Sequence, residues 1–379
     1  ALERAFNGDP FNPWFKNTLD LLDTFERFEV VETPRFRLFM RSDEADLLAT
    51  YLAPLAEEAY EALAARYGVR PEGPIRVELY PSHADFSVRT LGEAGLGALG
   101  VSFGPVVVMD APSARTLGEY NWASVFWHEL AHTFHLHMTE HRVPRWFSEG
   151  LAVHEQRKAR PGWGHRPTPS FLAALRDDRL KPVSELDDGF MRPTYPEQVV
   201  HSYYQASLVF ELIEDRWGFE AVRAMLDGHR LDEAPGPLLE SVLGMSEQDF
   251  DALFEEHLRE RFARALRGLP GPGNRPSPDA SLTELQTFAA TRPDDFAARI
   301  VLGARLLEAD RLDDAQRHLE AALEIFPEYV GPDAPHVQLA TLNQRRGDLE
   351  QAVQHLARYD ALDEASYATR IQRAELLRE

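Results

Sequence analysis

The sequence predicts an α+β fold, a small mixed sheet with helices followed by a helical half, and after it a separate all-helical segment. Three observations carry this. Strand-like alternation is confined to the first 110 residues, in "RFRLFM" (35–40), "IRVELY" (75–80) and "GVSFGPVVVMD" (100–110), the last long enough for one or two strands. From Tyr120 onward the apolar spacing is helical. "RGLPGPGNRPSPDAS" (267–281) crowds proline and glycine, where neither helix nor strand persists. Strands first and helices later is the α+β order.

Element by element, "EADLLATYLAPLAEEAYEALAARYG" (44–68) has apolar residues at helical spacing and stops at Gly68, a helix C-cap. Later helices are expected at about 120–138, 144–158, 198–216, 218–228 and 246–266. Asn121 is the expected N-cap of the first, and Pro144 suits the first turn of the second. This divides the chain into an N-terminal helical segment (1–30), a main domain (31–268), a Pro/Gly linker (269–281) and a C-terminal helical domain (282–379).

The C-terminal domain repeats itself. In "FAARIVLGARLLEADRLDDAQRHLEAALEIFP" small and large apolar residues recur at Leu302, Gly303, Leu306, Ala315, Leu319, Ala322 and Pro327. A weaker copy follows through Leu339, Ala340, Ala352 and Leu356, and a partial third unit begins near Ser366. This pattern resembles the tetratricopeptide repeat, a helix–turn–helix unit whose small residues let paired helices approach. The resemblance implies a groove that binds a protein partner. Leu2, Ala5 and Pro10 share the spacing of Leu319, Ala322 and Pro327, so the first ten residues are expected to be the tail of an upstream repeat.

Bulk properties narrow the chemistry. With 379 residues the chain has room for two or three domains. It has no cysteine, so any metal must be held by His, Asp or Glu. A net charge of −22 disfavours nucleic acid and anionic membrane as partners. No apolar run approaches the roughly 18–20 residues of a membrane span.

The chemistry concentrates in "WHELAHTFHLHMTEHRVPRWFSEGLAVHE" (127–155), with six histidines and four glutamates. On one helix His128 and His132 stand about 40° apart, so both imidazoles reach one ion. Glu129 lies about 100° from His128, beside the ion and able to reach a water there. H-E-x-x-H therefore supplies two ligands and a general base on one rigid element. His135 shares that face but stands three residues beyond His132, so it is expected to line the cleft or support a ligand. His137 points to solvent or packing, and His154 has no special part. For a third ligand Glu149 is favoured, because Gly150 and Ala152 let a second helix come close. Two histidines, one glutamate and one open position make a catalytic zinc shell. Glu155 is expected to orient a ligand imidazole.

His128-Glu129-x-x-His132 followed by Trp146-x-x-Glu149-Gly150-x-Ala152 resembles the gluzincin metallopeptidases, above all the peptidase MA-like bacterial domains and more distantly the aminopeptidase N-like enzymes. The resemblance implies one zinc ion on His128, His132 and Glu149, Glu129 as general base, and a downstream tyrosine that steadies the oxyanion. "YYQASLVFELIEDRWG" is similar to the family's tyrosine helix and places that residue at Tyr203, with Tyr204 and His201 as competitors. Departures from the family are also visible. Sixteen residues separate His132 from Glu149, fewer than in well-known members. The aminopeptidase segment that grips a free amino terminus has no counterpart in "FGPVVVMDAPS", where only Asp110 is near. The expected function is an endopeptidase-like zinc hydrolase acting on a peptide or protein substrate. The alternative is a weakly active zinc-binding scaffold whose repeats bind a protein partner.

Overall fold

The computed structural model describes residues 1–379 except 270, 272–276, 278, 279, 364 and 379. It is α+β: a five-stranded mixed sheet near the N-terminus and a mostly helical remainder. The strands are β1 (Phe28–Glu32), β2 (Phe36–Arg41), β3 (Ile75–Tyr80), β4 (Gly100–Ser102) and β5 (Val106–Asp110), in the order β1-β2-β3-β5-β4. The helices of the first two-thirds are α1 (Leu2–Gly8), α2 (Pro13–Thr24), α3 (Ser42–Tyr67), α4 (His83–Leu91), α5 (Trp122–Thr139), α6 (Arg145–Ala159), α7 (Pro169–Arg176), α8 (Leu186–Met191), α9 (Gln198–Trp217), α10 (Phe219–Arg230), α11 (Pro235–Leu243), α12 (Glu247–Arg261) and α13 (Ala263–Gly268). The rest are α14 (Leu282–Thr291), α15 (Phe296–Glu308), α16 (Leu312–Ile325), α17 (Pro335–Arg346), α18 (Leu349–Asp360) and α19 (Tyr367–Leu376). Two compact units emerge, one of residues 1–156 and 213–244, the other of 157–212 and 245–379.

In the first unit β2, β3 and β5 run parallel, while β1 and β4 are antiparallel to their neighbours at the two edges. β3 is buried at five of six positions, as a central strand is, and the one charged residue among the five, Glu78, is paired with Arg76 and Arg89. The expected strands appear, and "GVSFGPVVVMD" makes two, turning at Gly104 with φ 79°. β1 is additional. "FEVVE" has only partial burial, so its alternation is weak and its pairing with β2 creates it.

α3 buries Ala45, Leu48, Leu52, Leu55, Ala56, Ala59, Tyr60, Leu63, Ala64 and Tyr67, a stripe at helical spacing that covers β1 and β2. Gly68 ends it in the left-handed conformation (φ 72°), its N–H donating to the Ala64 carbonyl. α5 packs on α3, β4 and β5. Phe134, fully buried, meets Tyr60 and Tyr67 at ring-centroid distances of 5.4 and 5.8 Å, and Phe126 meets Phe36 at 6.2 Å. Burying each such ring contributes roughly 2–3 kcal/mol, which fixes α5 on the sheet.

The second unit is helical. α15 with α16 and α17 with α18 form consecutive hairpins, flanked by α14 and α19. Leu302 and Leu339, Ala315 and Ala352, and Leu319 and Leu356 are buried at matching places in the two hairpins. Gly303 is small for a reason: an added Cβ would stand 2.7 Å from Leu319 Cδ2. Most of the expected linker at 269–281 lies outside the described residues.

Candidate metal centre

Two helices of the first unit build the site. α5 begins where expected: Asn121 Oδ1 accepts from the Ser124 N–H at 3.1 Å. α6 begins at Arg145, with the Pro144 carbonyl accepting from the Ser148 N–H. From α5 come His128 and His132, and from α6 comes Glu149.

His128 Nε2 and His132 Nε2 are 3.1 Å apart, and Glu149 Oε2 lies 3.2 Å from the first and 3.4 Å from the second. Tetrahedral bonds of 2.0–2.1 Å place neighbouring donor atoms about 3.3 Å apart. The triangle therefore has the size of one face of a tetrahedral site, and these three residues could hold a metal ion. Their side chains keep 13, 12 and 16 % exposure, so the triangle is not sealed as a closed structural site would be.

The far side of each imidazole is anchored. Gln156 Nε2 donates to the Ser124 carbonyl and hydroxyl oxygens, both at 2.8 Å. A carbonyl only accepts, so the Gln156 amide has one orientation, with Oε1 facing His128 Nδ1 at 3.1 Å. His128 Nδ1 must then carry the proton, and Nε2 presents its lone pair to the triangle. His132 Nδ1 is 2.8 Å from Ser148 Oγ. Arg145 Nε stands 3.6 Å from Glu149 Oε1, the carboxylate oxygen turned away from the histidines. Burial opposes the Glu149 charge, but the neighbouring His128 and His132, in their protonated forms, hold its carboxyl well below the usual carboxylate range.

Glu129 follows His128 and is 6 % exposed. Burial, opposed by His128 and reinforced by Glu149, pushes its carboxyl up to about 7. That is a proton-accepting strength suited to neutral solution. The edge strand β4 lies against it: a Cβ on Gly100 would meet Glu129 Cγ at 2.7 Å and Oε1 at 2.8 Å.

The other residues of the histidine-rich stretch sort differently from expectation. His135 does not line a cleft. It is fully buried, with Nε2 2.7 Å from the Tyr67 hydroxyl and its ring 5.8 Å from that of His132. Glu155 reaches neither ligand imidazole. It accepts from Arg66 Nε at 2.8 Å and the Tyr67 hydroxyl at 3.1 Å. His154 is no bland residue: its Nε2 is 2.7 Å from Glu214 Oε2, and Glu214 also accepts two bonds from Arg66. His137 is exposed, as expected. The partners that sequence reasoning missed are Gln156 and Ser148. Gln156 sits two turns after Glu149 on the same face of α6, a spacing that was available in the sequence.

Asp110 is fully buried and occupied by Arg115 Nε at 2.8 Å and His83 Nδ1 at 2.9 Å, so it does not replace the missing amine-binding glutamate. The three residues weighed for the oxyanion role lie on α9 within the second unit. His201 is buried between Ser170 Oγ and the Tyr195 hydroxyl, both at 3.1 Å. Tyr204 is 1 % exposed against Phe171. Tyr203 alone of the three is half-buried, its ring 5.3 Å from His165 and 5.0 Å from Phe190. Among the described residues no helix is long and apolar enough to cross a membrane. Comparison of the chain with protein-family models, curated proteins and solved structures gave no match.

Proposed function

We propose that the chain is a zinc-dependent peptidase of the gluzincin type that hydrolyses internal peptide bonds. The observation that carries this is the triangle of His128 Nε2, His132 Nε2 and Glu149 Oε2, with the buried Glu129 carboxyl beside it. Zinc held there would supply Lewis-acid polarisation of the attacking water and of the scissile carbonyl. Glu129 takes the proton of the water and passes it to the departing amine nitrogen. The resemblance to the gluzincins assigns to Tyr203 the hydrogen bond to the oxygen that becomes negative. β4 offers an edge along which an extended substrate can lie. Asp110 is already spent on His83 and Arg115, which favours an endopeptidase. The hairpins of α14–α19 are read as tetratricopeptide-type repeats that recruit a protein.

The test is metal content of freshly purified protein together with cleavage of an unstructured protein. Wild type should carry one zinc and cleave. Glu129→Gln should keep the zinc and lose roughly 10²–10⁴-fold or more in kcat. Tyr203→Phe should lower kcat with KM little changed. Stoichiometric zinc without cleavage of any substrate pool would favour the scaffold alternative. Metal-free protein in which His132→Ala is as stable as wild type removes the metal reading itself.

A further inference from the structure

A cavity of about 510 Å³ opens in the first unit between α2 and α4, within the size range of small-molecule sites. It shares no residue with the metal triangle. Trp14, Leu21, Leu22, Phe25, Val88 and Leu91 form its apolar wall. Trp14, Leu22 and Leu91 are exposed, and large apolar side chains gathered around one opening mark a binding surface. The wall is held in place by its neighbours. A Cβ on Gly92 would stand 2.7 Å from Trp14 Cδ2, so the indole rests on bare backbone, and Asn17 Nδ2 donates to the Gly92 carbonyl at 3.3 Å.

Two arginines, Arg76 from β3 and Arg89 from α4, line the same cavity. Both bond to one carboxylate, the buried Glu78. Glu78 accepts from Arg76 Nε, from Arg89 Nε at 2.7 Å and Nη2 at 3.2 Å, and from the Tyr80 hydroxyl at 2.9 Å. The Arg76 guanidinium also lies 3.7 Å from the Phe39 ring centroid, a contact that steadies it. One carboxylate thus anchors two guanidiniums and leaves one positive charge unmatched by contact. Both Nη atoms of Arg76 and Nη1 of Arg89 have no hydrogen-bond partner among the described residues. The two side chains keep 35 and 32 % exposure, so an anion can reach them from the cavity.

We propose that this cavity binds an alkyl monocarboxylate of medium chain length, with its carboxylate on Arg76 and Arg89 and its chain along α2 and α4. A guanidinium offers a carboxylate paired N–H groups, and the ligand supplies the charge that contact leaves unmatched. The polar groups of the wall point to a hydrocarbon tail and against a peptide. Thr18 Oγ1 donates to the Trp14 carbonyl at 2.7 Å, Thr90 Oγ1 donates to the Phe86 carbonyl at 2.9 Å, and the Gly92 carbonyl already accepts from Asn17. A peptide backbone laid here would leave its own polar groups short of partners, whereas methylene groups need none.

Isothermal titration and thermal unfolding of the full chain test this, with decanoate below its micelle concentration against decanol, acetate and the peptide acetyl-leucyl-leucine. The expected result is one saturable decanoate site and a rise in Tm, with decanol and acetate about tenfold weaker or more. Arg76→Gln, which leaves Arg89 on Glu78, should weaken decanoate about tenfold or more. Leu22→Glu should weaken it as much, because it sets a like charge in the wall. Leu22 is exposed, so this second variant guards against an Arg76 variant that does not fold. The proposal is overturned by the absence of a saturable decanoate site, by decanol binding as tightly as decanoate, by the peptide binding more tightly, or by wild-type affinity in the folded variants.

Discussion

Gly100 and Glu129 touch across two elements: the edge strand β4 leaves room for the Glu129 carboxyl only because residue 100 has no side chain. Gly100 is half-buried, while Glu129 is nearly closed off from solvent. The strand thus fixes where the proposed base stands, and a methyl group there must displace it.

Gly100→Ala is therefore expected to lower kcat/KM by about 10–100-fold, since a displacement of order 1 Å in a proton-transfer group has that effect. Zinc content should remain at wild type, because the proposed ligands come from α5 and α6. Activity and metal analysis of one preparation check both halves. Undiminished activity would show that Glu129 has no fixed place in the reaction.

Gln156→Leu and Ser148→Ala are expected to weaken zinc binding by about 10–100-fold each without touching a ligand atom. Gln156 holds the His128 tautomer through Ser124, and Ser148 orients His132. Competition with a chelating indicator measures this. An affinity equal to wild type in both variants would mean that the helices alone align the imidazoles.

Tyr67→Phe deletes a hydroxyl that lies between His135 and Glu155. The loss leaves buried polar groups short of a partner and should cost about 1–3 kcal/mol of stability. Zinc affinity should change little, because His135 meets His132 only ring to ring and Glu155 reaches neither histidine of the triangle. Denaturant unfolding and metal competition, run side by side, separate the two effects.

The C-terminal hairpins should weaken in mild acid. His336 Nδ1 on α17 is 3.1 Å from His355 Nδ1 on α18, so one proton at most fits between them. Burial first, then His355 and Arg358, lowers His336 to about 4. The unfolded chain takes up a proton near pH 6.5, whereas the folded chain resists until about 4. Stability from this residue is thus fully present above pH 6.5 and is lost as pH falls toward 4, by at most about 3 kcal/mol. His336→Asn should flatten that dependence in unfolding measured from pH 7 to 4.5.

Much of this arrangement was legible in the sequence where one element carries the information. His128 and His132 share a face of a single helix, so their spacing alone brings them together. Asn121, Gly68 and Gly303 announce themselves because their residue types suit one backbone or packing need. What the sequence hid depends on partners distant in the chain. His135 and Glu155 resembled helpers of the metal until Tyr67, more than sixty residues earlier, claimed both. His154 looked bland because Glu214 and Arg66 lie on other helices. β1 is a strand by virtue of its neighbour β2, a cause that local alternation does not record.

The brevity of β4 has a consequence of its own. An edge strand leaves a row of backbone groups open, and a long flat one is a template for stacking copies of the same chain. β4 has three residues and pairs with β5 alone among the described strands. Three residues give a visiting segment too few main-chain bonds to stay by themselves. Any segment that added there would have to be held by its side chains, and so short an edge is a poor template for stacking copies of the chain.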